Sequence, residues 1–317
     1  MPAPPSPPTG LLSILEQIWW RLDVALDLEV LEWSAKLGAL EAIESGTTAI
    51  VDHHESPRAI EGSLSVIADA CAEVGVRVSA AYGVTDRHGP DGARQGLAEN
   101  ERYLKGGGRG MVGVHAAFTC SDETLAAAAG LASDLGVGVH IHVGEGDVDA
   151  EAGVRLERLA APDWLLVHCV LLDRDLPGTV AHNPRSNMNN ATGYARPAAR
   201  PNQVVLGTDG IGSDMLEEFR LAYARLREDD VLAAPSQPWG WLHNGYALFP
   251  EAADDVVVWD HDHVDDPWWM AFTPGVRAID VTIGGEPVLR DGRPVRVDAG
   301  EVRAKAAEQA ARLFARL

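Results

Sequence analysis

Lysine is almost missing from this chain: among 317 residues only Lys36, Lys105 and Lys305 carry an ammonium side chain. With 47 Asp and Glu against 26 Lys and Arg, the formal charge is -21 and the pI is near 4.8. Polyanions are recognised by clustered Lys and Arg, so this balance argues against nucleic acid as a partner. Aromatic residues are also scarce, at 6%, whereas 46% of the chain is apolar, with many Ala, Val and Leu. That composition suits an α/β globule and excludes a disordered chain. The three cysteines, Cys71, Cys120 and Cys169, are odd in number, far apart and set among apolar neighbours. They exclude a disulfide framework and read as small buried thiols in a reducing compartment. No apolar run approaches the roughly 20 residues of a membrane span. The opening MPAPPSPPTG has neither the basic start nor the apolar centre of a secretory signal. A cytoplasmic location without membrane contact is expected.

What is present is a rhythm. A helical stretch, 11–46, has apolar residues at three- and four-residue spacing and stops at Gly46. Short β-branched runs then recur at 47–54, 77–86, 111–118, 137–143, 164–170, 179–184 and 204–210, and helix-compatible segments separate several of them. Strand alternating with helix predicts a parallel sheet covered on both faces. Nearly every run ends in a polar residue: His53 and His54, Asp86, His115, His142, His168, His182 and Asn183, and Asp209. In a (β/α)8 barrel these carboxyl ends converge on one mouth, where catalytic groups collect. A barrel explains the pattern better than a doubly wound sheet, but seven strands are countable and one is missing at the front. Residues 1–250 are assigned to this barrel, as strands 2 to 8. Residues 251–317 read as the remnant of a small β domain, with a strand at 255–260, a hairpin at 278–295 and a closing helix.

The stretch VGVHIHVGEG, 137–146, places His142 at a strand end and Glu145 three residues further on. An imidazole there can hold a metal while the carboxylate reaches a metal-activated water and moves its proton. That pair alone is a weak signal. It gains weight from His168 at the end of the next strand and from Asp209 in LGTDG, because a carboxylate at the last strand end is a hard oxygen ligand and a proton acceptor. Period-two alternation sends one of His53 and His54 into the barrel and the other outward, and the substrate contact is assigned to His54. His140 shares the strand face of His142 and is expected to be a deeper, hydrogen-bonded core residue. His261 and His263 read as part of a solvated loop, and the proline-rich lead as an extended loop near the barrel mouth.

The motifs GTTAIVDHHESP (46–57), GVHAAFTCSDETL (113–125), HIHVGE (140–145), VHC (167–169), AHNPRSNMNN (181–190) and LGTDGIGSDM (206–215) carry a resemblance. The chain resembles the amidohydrolase superfamily, in its branch of cytosine/guanine-type aminohydrolases and triazine hydrolases, and most of all the SsnA-like aminohydrolases. The resemblance implies an amidohydrolase-type barrel that deaminates a cyclic amidine such as a purine, pyrimidine or triazine. It implies His142 and Asp209 as metal ligands, Glu145 as general acid/base, His168 as the group orienting the water or the developing charge, and His115 as a substrate contact. The 182–187 segment takes a more structural role. One divalent ion, zinc or iron, is implied; the binuclear branch bridges its metals through a strand-end lysine, and none of the three lysines lies in strand text. A homo-oligomer is expected.

The family's first strand supplies two further ligands in a His-x-His pair, and the chain begins just past that point. Two ligands are too few for tight zinc binding, which usually draws three from the protein, so the site is expected to be incomplete. The retained Glu145, His168 and Asp209 favour a leader omitted at the gene start over one lost by the lineage. The alternative is a catalytically silent barrel that serves as a binding or assembly protein, with a partner chain covering its open edge.

Overall fold

The computed structural model describes residues 6, 7 and 9–317, so most of the proline-rich lead, and the expectation placed on it, lies outside the described residues. Seven parallel strands form the wall: β1 (Ala49–His54), β2 (Arg77–Tyr82), β3 (Val112–Ala116), β4 (Val139–Val143), β5 (Leu165–His168), β6 (Thr179–His182) and β7 (Val204–Leu206). They follow one another in chain order. β1 pairs with β2, parallel bridges Ala80–Gly110 and Val84–Val114 join β2 to β3, and β3 to β7 pair consecutively. This is the (β/α)8 barrel architecture with seven of its strands. Among the described residues nothing pairs with the outer edges of β1 and β7.

Alternation along each strand builds two layers. Val112, Val114, Val139, Ile141, Val143, Leu166, Val180 and Val204 point outward into a core shared with Leu125, Phe219, Ala222 and Leu226 of the surrounding helices. Leu165, Val167, Ala181 and Val205 point inward and meet Val51. Ile141 and Leu166 are fully buried, and each such side chain stabilises the wall by roughly 1.5–3 kcal/mol. The helices start where short polar side chains satisfy their free N–H groups. Ser121 accepts from Thr124 N at 3.2 Å to open Asp122–Leu135, and Asp214 accepts from Glu217 N at 3.0 Å to open Met215–Asp229. Gly136 stops the first of these in a left-handed turn, φ 67°.

The leading helical stretch lies over the barrel mouth. It runs as Leu11–Ile14, a π-helical turn Leu15–Trp19, and Trp20–Ala25. Its Leu11 packs on Gly146 and its Trp19 on Gly210, both just past strand ends. Leu15, Trp19 and Asp23 roof a cavity of about 1190 Å³ that opens into the barrel.

A four-stranded antiparallel sheet follows, formed by β8 (Val256–Trp259), β9 (Ala278–Ile283), β10 (Glu286–Arg290) and β11 (Arg293–Pro294) in the order β11-β10-β9-β8. Val281, Val288 and Leu289 share a core with Leu40 and Ile43 of the helix Leu28–Glu44 and with Val302 of the closing helix Ala299–Phe314. Cys71, Cys120 and Cys169 are buried free thiols. No helix among the described residues is long and apolar enough to cross a membrane.

Candidate active site

Three strand ends and one short helix make the site. Glu145 follows β4, His168 ends β5 and Asp209 follows β7. His168 has the parity of Leu166, which points outward, yet its φ of 73° turns the chain at that residue and carries the ring into the mouth. Asp209 is left-handed as well, φ 55°. Non-glycine residues in this conformation cost of order 1–3 kcal/mol and cluster at functional sites.

The result is convergence. His168 Nε2 lies 3.5 Å from Glu145 Oε2 and 3.7 Å from Asp209 Oδ2. Among the described residues, these three form the set whose metal-type donor atoms all fall within 4.8 Å of one another. The helix Pro184–Asn189, which follows the end of β6, and Asn190 hold all three by hydrogen bonds. Asn187 Oδ1 is 2.8 Å from His168 Nδ1, Ser186 donates its hydroxyl to Asp209 Oδ2, and Asn190 Nδ2 donates to Glu145 Oε1 at 3.2 Å. Gly210 N donates to Asp209 Oδ1 at 2.6 Å.

His142 enters from β4. Its Nδ1 is 2.5 Å from the carbonyl oxygen of His115, which makes Nδ1 the protonated nitrogen and leaves Nε2 with a free lone pair. Its ring stacks on that of His168 at 5.5 Å. His115 is 5.8 Å from the His142 ring, bonds Thr119 Oγ1 at 2.9 Å, and faces Trp20 at 6.4 Å. His54 borders the cavity, but its Nε2 is spent on Ser56 Oγ at 2.8 Å and its ring lies against Tyr82. His53 is the member of that pair on the inward parity of Val51, 4.6 Å ring to ring from both His140 and His142. His140 is deep and inward as expected, but its Nδ1 has no hydrogen-bond partner among the described residues.

Electrostatics separate the two carboxylates. Burial, with the Asp209 charge beside it, pushes Glu145 up to about 7, against the pull of His142 and Asn190. Burial also pushes Asp209 upward, but His168, His142 and the bonds from Ser186 and Gly210 outweigh it and hold Asp209 below the ordinary carboxylate range. Burial lowers His142, His168 and His115, so the imidazoles are neutral and able to act as ligands. A proton acceptor poised near neutrality beside an ionised carboxylate and neutral imidazoles is an arrangement for moving a water proton.

The donor set fits a divalent cation of the zinc class: imidazole nitrogen and carboxylate oxygen, with the supporting atoms hydrogen-bonded behind them. Lys36 takes no part. It pairs with Glu32 at 2.7 Å and Glu73 at 2.8 Å on the outer helices.

Ser186, Asn187 and Asn190 are the supporting residues that sequence reasoning did not assign to the site. Ser186 and Asn187 fell in the 182–187 segment read as structural, and Asn190 lay in the 181–190 motif without a role of its own.

Residues 9–236 match the sequence profile of the amidohydrolase family. A 5'-deoxyadenosine deaminase of Methanopyrus kandleri is 29% identical over 364 residues, covering 96% of this chain and 80% of that protein. Among solved structures, an adenosine deaminase from Xanthomonas campestris with bound zinc superposes with a TM-score of 0.79 at 19% identity, over 98% of this chain and 81% of that one. The zinc complex of atrazine chlorohydrolase from Arthrobacter aurescens TC1 does so with a TM-score of 0.75 at 19% identity, over 96% and 83%. With the profile spanning well over half the chain and taking in Glu145, His168 and Asp209, this protein belongs to the amidohydrolase family.

Proposed function

We propose that this chain is a metal-dependent hydrolase that removes ammonia from a cyclic amidine, a purine, pyrimidine or triazine ring bearing an exocyclic amine. The observation that carries the reading is the meeting of Glu145, His168 and Asp209 within 4.8 Å, on three separate strand ends. The relatives support it: one is named a 5'-deoxyadenosine deaminase, and fold neighbours include an adenosine deaminase and a triazine-type chlorohydrolase.

His142 and Asp209 would hold the ion, zinc by donor chemistry and iron as the second candidate. Bound there, it would supply Lewis acidity that brings a water's pKa toward neutrality. Glu145, pushed up to about 7, takes the proton from that water as its oxygen adds to the ring carbon, and returns it to the departing nitrogen as the C–N bond breaks. His168, clamped by Asn187, presents Nε2 between the two carboxylates and orients the attacking water. Asp209, ionised at the start, would receive the second water proton and give it up to the ring nitrogen, so that ammonia and the ring carbonyl product leave with both carboxylates as they began. His115, beside Trp20 and Phe118, borders the cavity where the ring would lie, while His54, committed to Ser56 and Tyr82, lines it without a free ring nitrogen at Nε2.

The test is ammonia release from a panel of aminopurines, their nucleosides, aminopyrimidines and aminotriazines, with zinc- or iron-loaded protein. Turnover lost in Glu145→Gln supports the reading. A folded protein with stoichiometric metal and no turnover on any member overturns it and leaves the silent binding barrel.

A further inference from the structure

His168 reaches the mouth through a turn in which the chain has to be held. Cys169 N donates to Val167 O at 3.1 Å across His168, whose φ is 73°, so His168 is the centre of a γ-turn of the rare, strained hand. Cys169 follows in the left-handed region as well, φ 53°. Two successive non-glycine residues in that region occur nowhere else among the described residues. Such backbone persists only where its surroundings over-determine it.

The N–H side of the turn is held by β4 and the residue after it. Cys169 N donates to Val143 O at 2.9 Å and Leu171 N to Gly144 O at 2.7 Å. The carbonyl side is held by one side chain. Arg200, which follows the 3-10 turn Pro197–Ala199, donates from Nη2 to Cys169 O at 2.6 Å and to Leu172 O at 3.3 Å. Its side chain is only 12% exposed, and its Nη1 lies 3.6 Å from Asp175 Oδ1. Cys169 is fully buried, so its carbonyl has to find a donor within the protein.

We propose that Arg200 is a positioning residue for the reaction: it locks the turn at His168 and Cys169 and so keeps the His168 imidazole in the mouth. Without the guanidinium, Cys169 O loses its donor and the strain at the two residues is no longer offset. His168 then relaxes toward the outward parity that it shares with Leu166. Asn187 cannot substitute, because it bonds the ring and not the chain. Arg200 also walls an open pocket of about 400 Å³, together with Val170, Asp175, Tyr194 and Arg196. Cutting the side chain back therefore leaves a space that a free guanidinium ion can enter from solvent.

The kinetic arm of the test rests on the deaminase reading, and the hydrogen-exchange arm does not. Arg200→Ala is expected to lower kcat by about 10- to 100-fold, the range for groups that orient a functional imidazole from behind, with KM little changed. Millimolar guanidinium chloride should restore much of the loss, and urea at the same concentration should not. A variant that was merely less stable would gain from neither, since both are denaturants. Exchange of the Cys169 and Leu171 amides should be about tenfold faster in Arg200→Ala and slow again when guanidinium is added. Arg196→Ala, on the same pocket wall but paired with Asp229, keeps parental kcat and exchange. Parental kcat or parental exchange in Arg200→Ala overturns the proposal, as does a loss that guanidinium fails to reverse. If Arg200→Ala does not fold, Arg200→Gln, too short to reach both carbonyls, is read by the same measurements. If the parent turns over no member of the panel, the deaminase reading fails and exchange alone decides the role of Arg200.

Discussion

Asn187 clamps His168: its side-chain oxygen lies 2.8 Å from Nδ1, inside a fully buried contact, and so directs Nε2 at Glu145 and Asp209. Neither residue could hold that orientation alone, because His168 sits at a left-handed strand end and, among the described residues, its ring makes no other hydrogen bond.

Asn187→Ala is therefore expected to lower kcat by roughly 10- to 100-fold, the range for partners that orient a catalytic imidazole. KM changes little, since Asn187 is screened from the cavity by His168. Steady-state kinetics on the substrate found in the panel checks this, and a variant that raises KM while sparing kcat would contradict the assigned role.

Glu145→Gln keeps the shape and the Asn190 contact but removes the proton acceptor. A loss of about 100- to 10,000-fold in kcat is expected, with zinc content unchanged. In the parent, kcat/KM should climb through a limb near pH 7 as Glu145 ionises. The metal's charge moves that limb downward, so comparing zinc- and iron-loaded protein reports how strongly the ion couples to Glu145.

Stability of the metal-depleted protein should fall as pH rises from about 4.5 to about 7. Unfolded, Glu145 titrates near 4.5; folded, burial holds its proton to about 7. In that window the folded state binds the extra proton, so raising the pH favours unfolding, by roughly 3 kcal/mol in total. Urea melts of parent and Glu145→Gln isolate the effect: the variant should lose this part of the slope, and parallel profiles would refute the assignment.

Gly138→Ala should destabilise the wall by about 1–3 kcal/mol, because a methyl there overlaps the backbone carbonyl of Asp163 where the chain enters β5. Gly130→Ala, inside the helix Asp122–Leu135 with open space around it, should instead stabilise by about 0.5–1 kcal/mol. Calorimetric melting of the two variants gives opposite shifts if the wall is packed as described.

The strands and the residues at their ends were legible because β-branched runs and terminal polar residues are local signals. His142, Glu145, His168 and Asp209 could be picked out as polar residues at strand ends, with their roles implied by the family resemblance, and the structure brings all four to one mouth. The choice between His53 and His54 was not legible. It turns on one residue of strand parity, set by whether Val51 faces the lumen, and that depends on contacts with Leu165 and Val167 more than a hundred positions away. His168 defeats parity altogether, since a positive φ reverses the side that alternation assigns to it. Ser186, Asn187 and Asn190 were visible as a polar run, but their partners come from three other elements, so their work appears only once the chain is folded.

The unpaired edges of β1 and β7 flank the same chamber that holds the chemistry. Hydrogen-bond ladders elsewhere in the wall are shared by neighbours on both sides, whereas these two strands are supported from one side only among the described residues. Warming should loosen that seam before the helical jacket gives way. Catalytic capacity would then fade at temperatures where circular dichroism still reports an intact protein, so for this molecule working lifetime and melting temperature are separate quantities.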